Sequence, residues 1–325
     1  MALTVAQMIG SLHPSPVTRR VFLEKSVKGT TALALSGLVL FTPQSAMATD
    51  RLLNSVRLPS PQFPAWTPDK KLLVTFIAED GSYGLLQRKG EAGHSDTLLS
   101  VGTATGQFNW PQGIAVDKST AYIVDSNNGR IQRLDLDTQT FLEPFGGLGK
   151  KSGLFLRPRG ICIFEDEVFI ADTRNHRIQV FSKDGVVKRI LGELGDADDQ
   201  FRLPTSCAVS PRGELFVVDS KHSLVKVFDL EGRFLRKFGG FSSPRKEPGL
   251  LNAPTGLSLD WKRQIVYVAD TGNGRIQAFE TNGRFLRFVE APGVTFKGPQ
   301  GIALLDSGEV AISDPDADNV WISTL

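Results

Sequence analysis

The chain has 325 residues, with 37 lysines and arginines against 35 aspartates and glutamates, and a formal net charge of +2. Four of those cations and one of the acids lie in the first 48 residues, so the other 277 residues carry a net charge of −1. This balance argues against nucleic acid or anionic lipid as a ligand, because both attract a strongly basic surface.

The first element is an N-terminal segment with the three parts of an export signal. Basic residues stand at its front, an uncharged and mostly apolar run covers residues 30–41, and the small residues Ala46 and Ala48 flank Met47 at its end. The run is shorter than the roughly 20 apolar residues that span a bilayer. No later run reaches that length, so we expect no membrane span in the mature chain.

The basic front of this segment carries a motif. Arg19 and Arg20 precede Phe22, Leu23 and Lys25. This order resembles the twin-arginine (Tat) signal, which is read as an address and is not an anchor. The resemblance implies cleavage after the last small residue, the Tat translocon as a transient partner, and export of the folded protein to the periplasm of a bacterial-type cell.

Strand-like runs without an obvious repeat follow in residues 50–107. They cover 51–58, 71–80, 83–88 and 97–102, and they are rich in Leu, Val and Ile. The structural unit to which these runs belong can be predicted only from the repeat that begins at residue 108.

From residue 108 the sequence repeats with a period of about 45 residues. The phrase FNWPQGIAV at 108–116 returns four times in related form, each time around a proline. A second phrase such as VFIADTRNHRIQVF follows each copy, and in the first four copies a third phrase such as FLRKFGG completes the unit. The prolines are Pro111, Pro158, Pro204, Pro254 and Pro299.

Each unit has the pattern of four short strands. Val, Ile, Phe and Leu fill runs with period two, and turns containing Asp, Asn and Gly separate them. Four antiparallel strands in about 45 residues is the period of a β-propeller blade, whose faces are buried only when blades pack side by side around an axis. The sequence therefore predicts an all-β propeller.

The recurring residues have structural roles in this interpretation. The glycine after each proline lets the innermost strand approach the crowded axis, and a phenylalanine before the proline packs between blades. The aspartate that ends the second strand is expected to accept backbone N–H bonds in the following turn, and an arginine five residues later to pair with it. The phenylalanines are Phe108, Phe155, Phe201 and Phe296; the aspartates are Asp125, Asp172, Asp219, Asp270 and Asp314; the arginines are Arg130, Arg177 and Arg275.

The segment DTRNHRIQVF at 172–181, with the P-x-G-I-A-V and F-L-x-x-F-G phrases, resembles the NHL repeat. Five copies cover about residues 108–325. The resemblance implies a β-propeller, commonly six-bladed, and mostly a role as an interaction module. Copy three departs from the pattern with Ser206 in place of glycine, and copy five departs at Asp316–Asn319.

A sixth, degenerate blade is then expected from the runs between residues 50 and 107. The runs 71–80, 83–88 and 97–102 would supply its second to fourth strands, and 51–58 would supply the missing outermost strand of the last blade and close the ring. The predicted organisation is a signal peptide over residues 1–48, followed by a single six-bladed β-propeller of four-stranded antiparallel blades over 49–325.

The two cysteines fall on innermost strands of neighbouring units. In the repeat alignment, Cys162 and Cys207 are one position apart, which places their side chains on opposite faces of a strand. We therefore expect two buried apolar thiols and no disulfide.

Metal ligands are sparse in the sequence. The histidines after the signal, His94, His176 and His222, are too scattered for the histidine-rich metal site of propeller lyases. The alternating carboxylates Asp314, Asp316 and Asp318 have oxygen ligands at a spacing that can hold calcium, and a structural role in the repeat's own turn is the other interpretation. The prediction is no cofactor, with calcium at these carboxylates as the alternative.

The residue between proline and glycine in each copy is expected to point toward the mouth of the central channel. All five are polar: Gln112, Arg159, Thr205, Thr255 and Gln300. A polar ring of this kind suits a small polar ligand or a loop of a partner, and a simple water-lined channel is the other interpretation.

These patterns favour an exported scaffold or binding module in the periplasm, with no catalytic residue assigned. Its partner would be another protein or an extracytoplasmic complex, and not nucleic acid. The alternative is an enzyme, a propeller lactonase or lyase with a divalent metal at the central channel, because six-bladed propellers host both functions.

Overall fold

A computed structural model describes residues 51–89, 95–241, 247–290 and 293–324. The predicted Tat motif, its cleavage site and His94 lie outside the described residues. The strands form six four-stranded antiparallel sheets, which confirms the predicted all-β, six-bladed propeller. Among the described residues, no helix has both the length and the apolar character that crossing a membrane requires.

Twenty-four strands make up the blades. In chain order they are β1 (Arg51–Arg57), β2 (Pro61–Trp66), β3 (Lys71–Ile77), β4 (Tyr83–Lys89), β5 (Ser95–Leu99), β6 (Pro111–Asp117), β7 (Thr120–Asp125), β8 (Arg130–Asp135), β9 (Thr140–Gly146), β10 (Ile161–Phe164), β11 (Glu167–Asp172), β12 (Arg177–Ser182), β13 (Val187–Leu191), β14 (Pro204–Val209), β15 (Leu215–Asp219), β16 (Leu224–Phe228), β17 (Phe234–Gly239), β18 (Leu257–Asp260), β19 (Ile265–Asp270), β20 (Arg275–Glu280), β21 (Phe285–Val289), β22 (Ile302–Leu304), β23 (Glu309–Asp314) and β24 (Asn319–Thr324). Blades 1 to 5 are β2–β5, β6–β9, β10–β13, β14–β17 and β18–β21, and blade 6 combines β22–β24 with β1.

Blade 6 takes its strands from both ends of the described chain. Strand β1 pairs antiparallel with β24, with Val56 opposite Val320 and Arg57 opposite Asn319. The Ser60 backbone N–H donates to Asp318 Oδ1 at 3.0 Å, just before the chain enters blade 1. The outermost strand of blade 6 thus comes from the segment that precedes blade 1.

The hydrophobic core is divided among the contacts between neighbouring blades. Phe155 is fully buried and packs with Tyr122 and Val124 of blade 2 and with Val168 of blade 3. An equivalent cluster joins each adjacent pair, including blade 6 with blade 1. Phe108 and Phe201 are equally buried and Phe296 is half-buried, so the repeated phenylalanine does pack between blades.

The innermost strands approach each other closely at the repeated glycines. A Cβ on Gly113 would lie 2.5 Å from the Arg159 carbonyl oxygen, and one on Gly256 would lie 2.0 Å from the Gln300 carbonyl oxygen. The absence of a side chain at these positions is therefore what lets neighbouring backbones meet near the axis.

The repeated aspartate accepts hydrogen bonds from backbone N–H groups other than the expected ones. Asp125 Oδ1 accepts the Asn109 N–H at 2.7 Å, and Asp172 Oδ1 accepts the Leu156 N–H at 2.8 Å. These donors precede the first strand of the blade and do not lie in the following turn, because the second strand runs back to the level at which the first begins. The expected ion pairs are present, from Arg130 to Asp125 and from Arg177 to Asp172 at 2.8 Å, and from Arg275 to Asp270 at 2.6 Å.

Blade 4 replaces this arginine with a lysine and a histidine. Leu224 occupies the arginine position, and Lys226 Nζ lies 3.2 Å from Asp219 Oδ2. His222 Nδ1 lies 2.6 Å from the same oxygen. Lys226 is only 1% exposed, and its Nζ also donates to the Ala197 carbonyl at 3.0 Å. The aspartate of blade 4 therefore keeps a cationic partner, which is Lys226 in place of an arginine.

The two cysteines lie in contact, which the strand alignment did not indicate. Cys162 Sγ of blade 3 lies 3.3 Å from Cys207 Sγ of blade 4, and both are free thiols. The two side chains point from opposite faces of their own blades. They meet because one face of a blade packs against the opposite face of the next blade. The one-position offset was therefore evidence for contact and not against it.

Candidate binding site at the mouth of the central channel

Three of the five predicted channel residues converge on the axis. Arg159 Nε donates to Gln112 Oε1 at 3.2 Å, and Arg159 Nη2 donates to Gln300 Oε1 at 3.2 Å. Because Arg159 belongs to blade 3 and Gln300 to blade 6, this side chain reaches across the ring. Gln112 Nε2 in turn donates to Gln62 Oε1 of blade 1 at 3.0 Å.

The other two predicted residues bond to the next blade. Thr255 Oγ1 donates to the Gln300 carbonyl at 3.2 Å and lies 2.6 Å from Thr271 Oγ1. Thr205 Oγ1 makes a longer contact of 3.5 Å with the Pro254 carbonyl. Both threonines are buried, and their hydroxyls connect neighbouring blades.

The residues before the prolines also belong to this end of the channel, although they were not predicted as site residues. Trp110, Arg157, Leu203 and Ala253 all have a left-handed backbone, with φ between 44° and 59°. Such a conformation is uncommon for residues other than glycine and is often found at functional sites. The sequence indicated these residues only indirectly, because the residue before each repeat proline differs from copy to copy while the proline itself recurs.

A cavity of about 260 Å³ opens beside Arg159 at this end of the channel. Three arginines of blade 3 line it, and we call it the arginine pocket. Its lining residues are Trp110, Gln112, Ser126, Arg157, Arg159, Thr173, Arg174 and Leu203. No aspartate or glutamate is among them.

The contacts of Arg157 and Arg159 are to neutral groups. The Arg157 guanidinium carbon lies 5.3 Å from the centre of the Trp110 ring, a cation–π distance. Burial lowers the pKa of the Arg159 guanidinium below its usual value, yet an arginine stays protonated in proteins. Among the described residues, no carboxylate oxygen lies within 4.0 Å of Arg157, Arg159 or Arg174.

The carboxylates weighed as calcium ligands bond to different parts of the backbone. Asp314 is buried and accepts the N–H groups of Lys297 and Gly298 at 2.8 and 2.9 Å. Asp318 accepts the Ser60 N–H instead. In the part of the chain that the structure describes, no three or more His, Cys, Asp or Glu side chains are grouped so that they could hold a metal ion.

Comparison with known proteins matches the repeat and the architecture. The NHL repeat family matches residues 155–181 and 251–279. The protein brain tumor of Drosophila melanogaster is 33% identical over 121 residues, which are 37% of this chain and 11% of that protein. Peptidylglycine alpha-amidating monooxygenase of Rattus norvegicus is 36% identical over 118 residues, 34% of this chain and 12% of that protein.

A solved structure extends the likeness over most of the chain. The gluconolactonase XC5397 of Xanthomonas campestris superposes with a TM-score of 0.61 and 17% identity, covering 86% of this chain and 93% of that one. At this identity the likeness concerns the fold alone. The chain is thus a six-bladed β-propeller that carries NHL repeats.

Proposed function

We propose that this propeller is an exported interaction module that binds another protein in the periplasm through the face on which the arginine pocket opens. The observation that carries the proposal is the side chain of Arg159, which spans the axis between Gln112 and Gln300. A ligand approaching this end therefore meets a surface of loops and not an open channel. Trp110, 38% exposed beside the pocket, provides an aromatic anchor of the kind that is enriched at protein interfaces.

Two further points support a partner protein. The NHL repeat is matched at two segments, and the resemblance implies an interaction module. Most residues lining the pocket lie in connections between strands of blades 2, 3 and 4, and loops on a rigid scaffold commonly carry binding sites.

Capture of a partner tests this function. The mature chain is immobilised, exposed to periplasmic extract, and any captured protein is purified and its affinity measured. We expect Trp110→Ala to weaken binding of that purified protein by about tenfold or more, because a central tryptophan often contributes 2 kcal/mol or more to an interface. Trp261→Ala is the matched control, since the turn after β18 lies at the other end of the innermost strands.

Two outcomes would contradict this function. One is equal loss of binding in the two tryptophan variants. The other is hydrolysis of a lactone by the purified protein on addition of a divalent metal, without any captured protein, which would favour the enzymatic alternative.

Export is tested separately by conservative substitution of the paired arginines. We expect Arg19→Lys/Arg20→Lys to leave the uncleaved precursor in the cytoplasm, because the Tat translocon reads the arginine pair as an address. Cell fractionation and the mass of the N-terminal peptide measure the result. Lys28→Gln removes a cation of the same segment outside the motif and should leave export intact. Normal processing of the double variant would exclude the Tat route.

A further inference from the structure

The arginine pocket concentrates positive charge that the described part of the chain does not neutralise. Arg130, Arg177 and Arg275 of the repeat each lie 2.6–2.8 Å from a buried aspartate. Arg157 and Arg159 have instead an indole ring and two glutamine carbonyls as partners. Arg157 and Arg174 are exposed and Arg159 is half-buried, so their positive charge is accessible to an anion that enters the pocket.

The pocket also offers the right donors for a carboxylate. Each guanidinium presents five N–H groups in a planar fork that matches two oxygen atoms at once. The side chain of Ser126 also lies in the wall, where its hydroxyl can donate a further bond. With no acidic residue in the lining, an entering carboxylate meets no like charge there.

The size of the pocket indicates how such a ligand is delivered. Its volume of about 260 Å³ is below the roughly 300–1,000 Å³ of clefts that enclose a complete small ligand. It is large enough for one or two side chains that project from a larger body. The exposed Trp110 at the rim adds apolar surface for the rest of that body.

We infer that the arginine pocket binds aspartate or glutamate side chains on a peptide segment of a partner protein. This inference rests on the proposed interaction function and specifies the chemistry of its ligand. Because residues 49–325 carry a net charge of only −1, the attraction comes from this pocket and not from the protein as a whole. Binding should therefore respond to substitutions in the pocket and not to loss of a cation elsewhere.

Fluorescence polarisation with labelled peptides tests the inference. The mature protein is titrated into an end-capped peptide containing alternating Asp and Glu, and into the same peptide with Asn and Gln. We expect the acidic peptide to bind at least about tenfold more tightly, and its affinity to fall as sodium chloride rises from about 0.05 to 0.3 M, since screening weakens exposed ion pairs. Equal binding of the two peptides would overturn the inference.

Variants then locate the site. Arg157→Gln/Arg174→Gln should weaken binding of the acidic peptide by about tenfold or more. The matched control is Arg212→Gln, because Arg212 lies over the Trp261 ring at 5.1 Å and reproduces the guanidinium–indole contact outside the arginine pocket. Circular dichroism and the melting temperature verify that each variant is folded. Unchanged binding by the double variant would overturn the assignment of the site.

The same variants separate this inference from the proposed function. If a purified partner still binds the double variant with wild-type affinity, the interaction function stands, and the inference that the pocket binds acidic side chains of that partner is wrong. If the wild-type protein binds neither a partner nor the peptide, both fail. Glutarate that binds as tightly as the peptide would identify a free dicarboxylate as the ligand and overturn the peptide assignment.

Discussion

Lys226→Ala is expected to destabilise the propeller by about 3–5 kcal/mol, the usual loss when one member of a buried ion pair is removed. Lys226 is 1% exposed and Asp219 is fully buried, so the substitution leaves a carboxylate without its nearest amine in the interior. It also removes the donor to the Ala197 carbonyl, which anchors the loop before blade 4. Urea denaturation followed by tryptophan fluorescence measures the change in the free energy of unfolding.

A rescue variant shows whether the charge is responsible. Leu224→Arg/Lys226→Gln gives blade 4 the arginine and glutamine found at these positions in blades 2, 3 and 5. In those blades the arginine lies 2.6–2.8 Å from the aspartate and the glutamine also donates to it. We expect this double variant to recover most of the loss. A Lys226→Ala protein as stable as the wild type would show that His222 alone suffices for Asp219.

Phe155→Ala is expected to cost about 3–5 kcal/mol, as for other large buried aromatic side chains. Phe155 is fully buried between blades 2 and 3, and its ring centre lies 5.4 Å from that of Phe181. Truncation removes this packing and leaves a cavity at the blade contact, which the close approach of the innermost strands prevents from collapsing. The measurement is again the free energy of unfolding from denaturant titration.

Phe296→Ala provides a comparison at the same repeat position. Phe296 is only half-buried between blades 5 and 6, so its truncation should cost less, about 1–2 kcal/mol. Equal losses in the two variants would mean that the cost does not come from burial between blades.

Residues that recur with the repeat were the most predictable part of this molecule. The phenylalanines, the axial glycines and the aspartate–arginine pairs serve the same contact in several blades, so their spacing alone indicated a propeller. Blade 1 was harder to recognise because its first strand has Phe63 where the repeat has glycine. That substitution also concealed Gln62, which joins the polar side chains at the axis.

Properties that depend on the reach of a side chain or on packing between blades were not predictable. A repeat alignment places Arg159 at the channel, but only the three-dimensional structure shows that its guanidinium bonds to the opposite blade. Likewise, the alignment gave the faces of Cys162 and Cys207 correctly, while their contact depends on how two blades stack. The arginine pocket depends both on the reach of side chains and on packing between blades, because residues of three blades line it.

The pairing of β1 with β24 has a consequence for the time course of folding. The bond between Ser60 and Asp318 joins positions 258 residues apart, so β1 stays without its partner until β24 has been synthesised. Contacts of such long sequence separation slow folding, and an unpaired strand edge invites aggregation in the meantime. The nascent polypeptide therefore passes through an incomplete, association-prone stage that ends only when β1 and β24 pair.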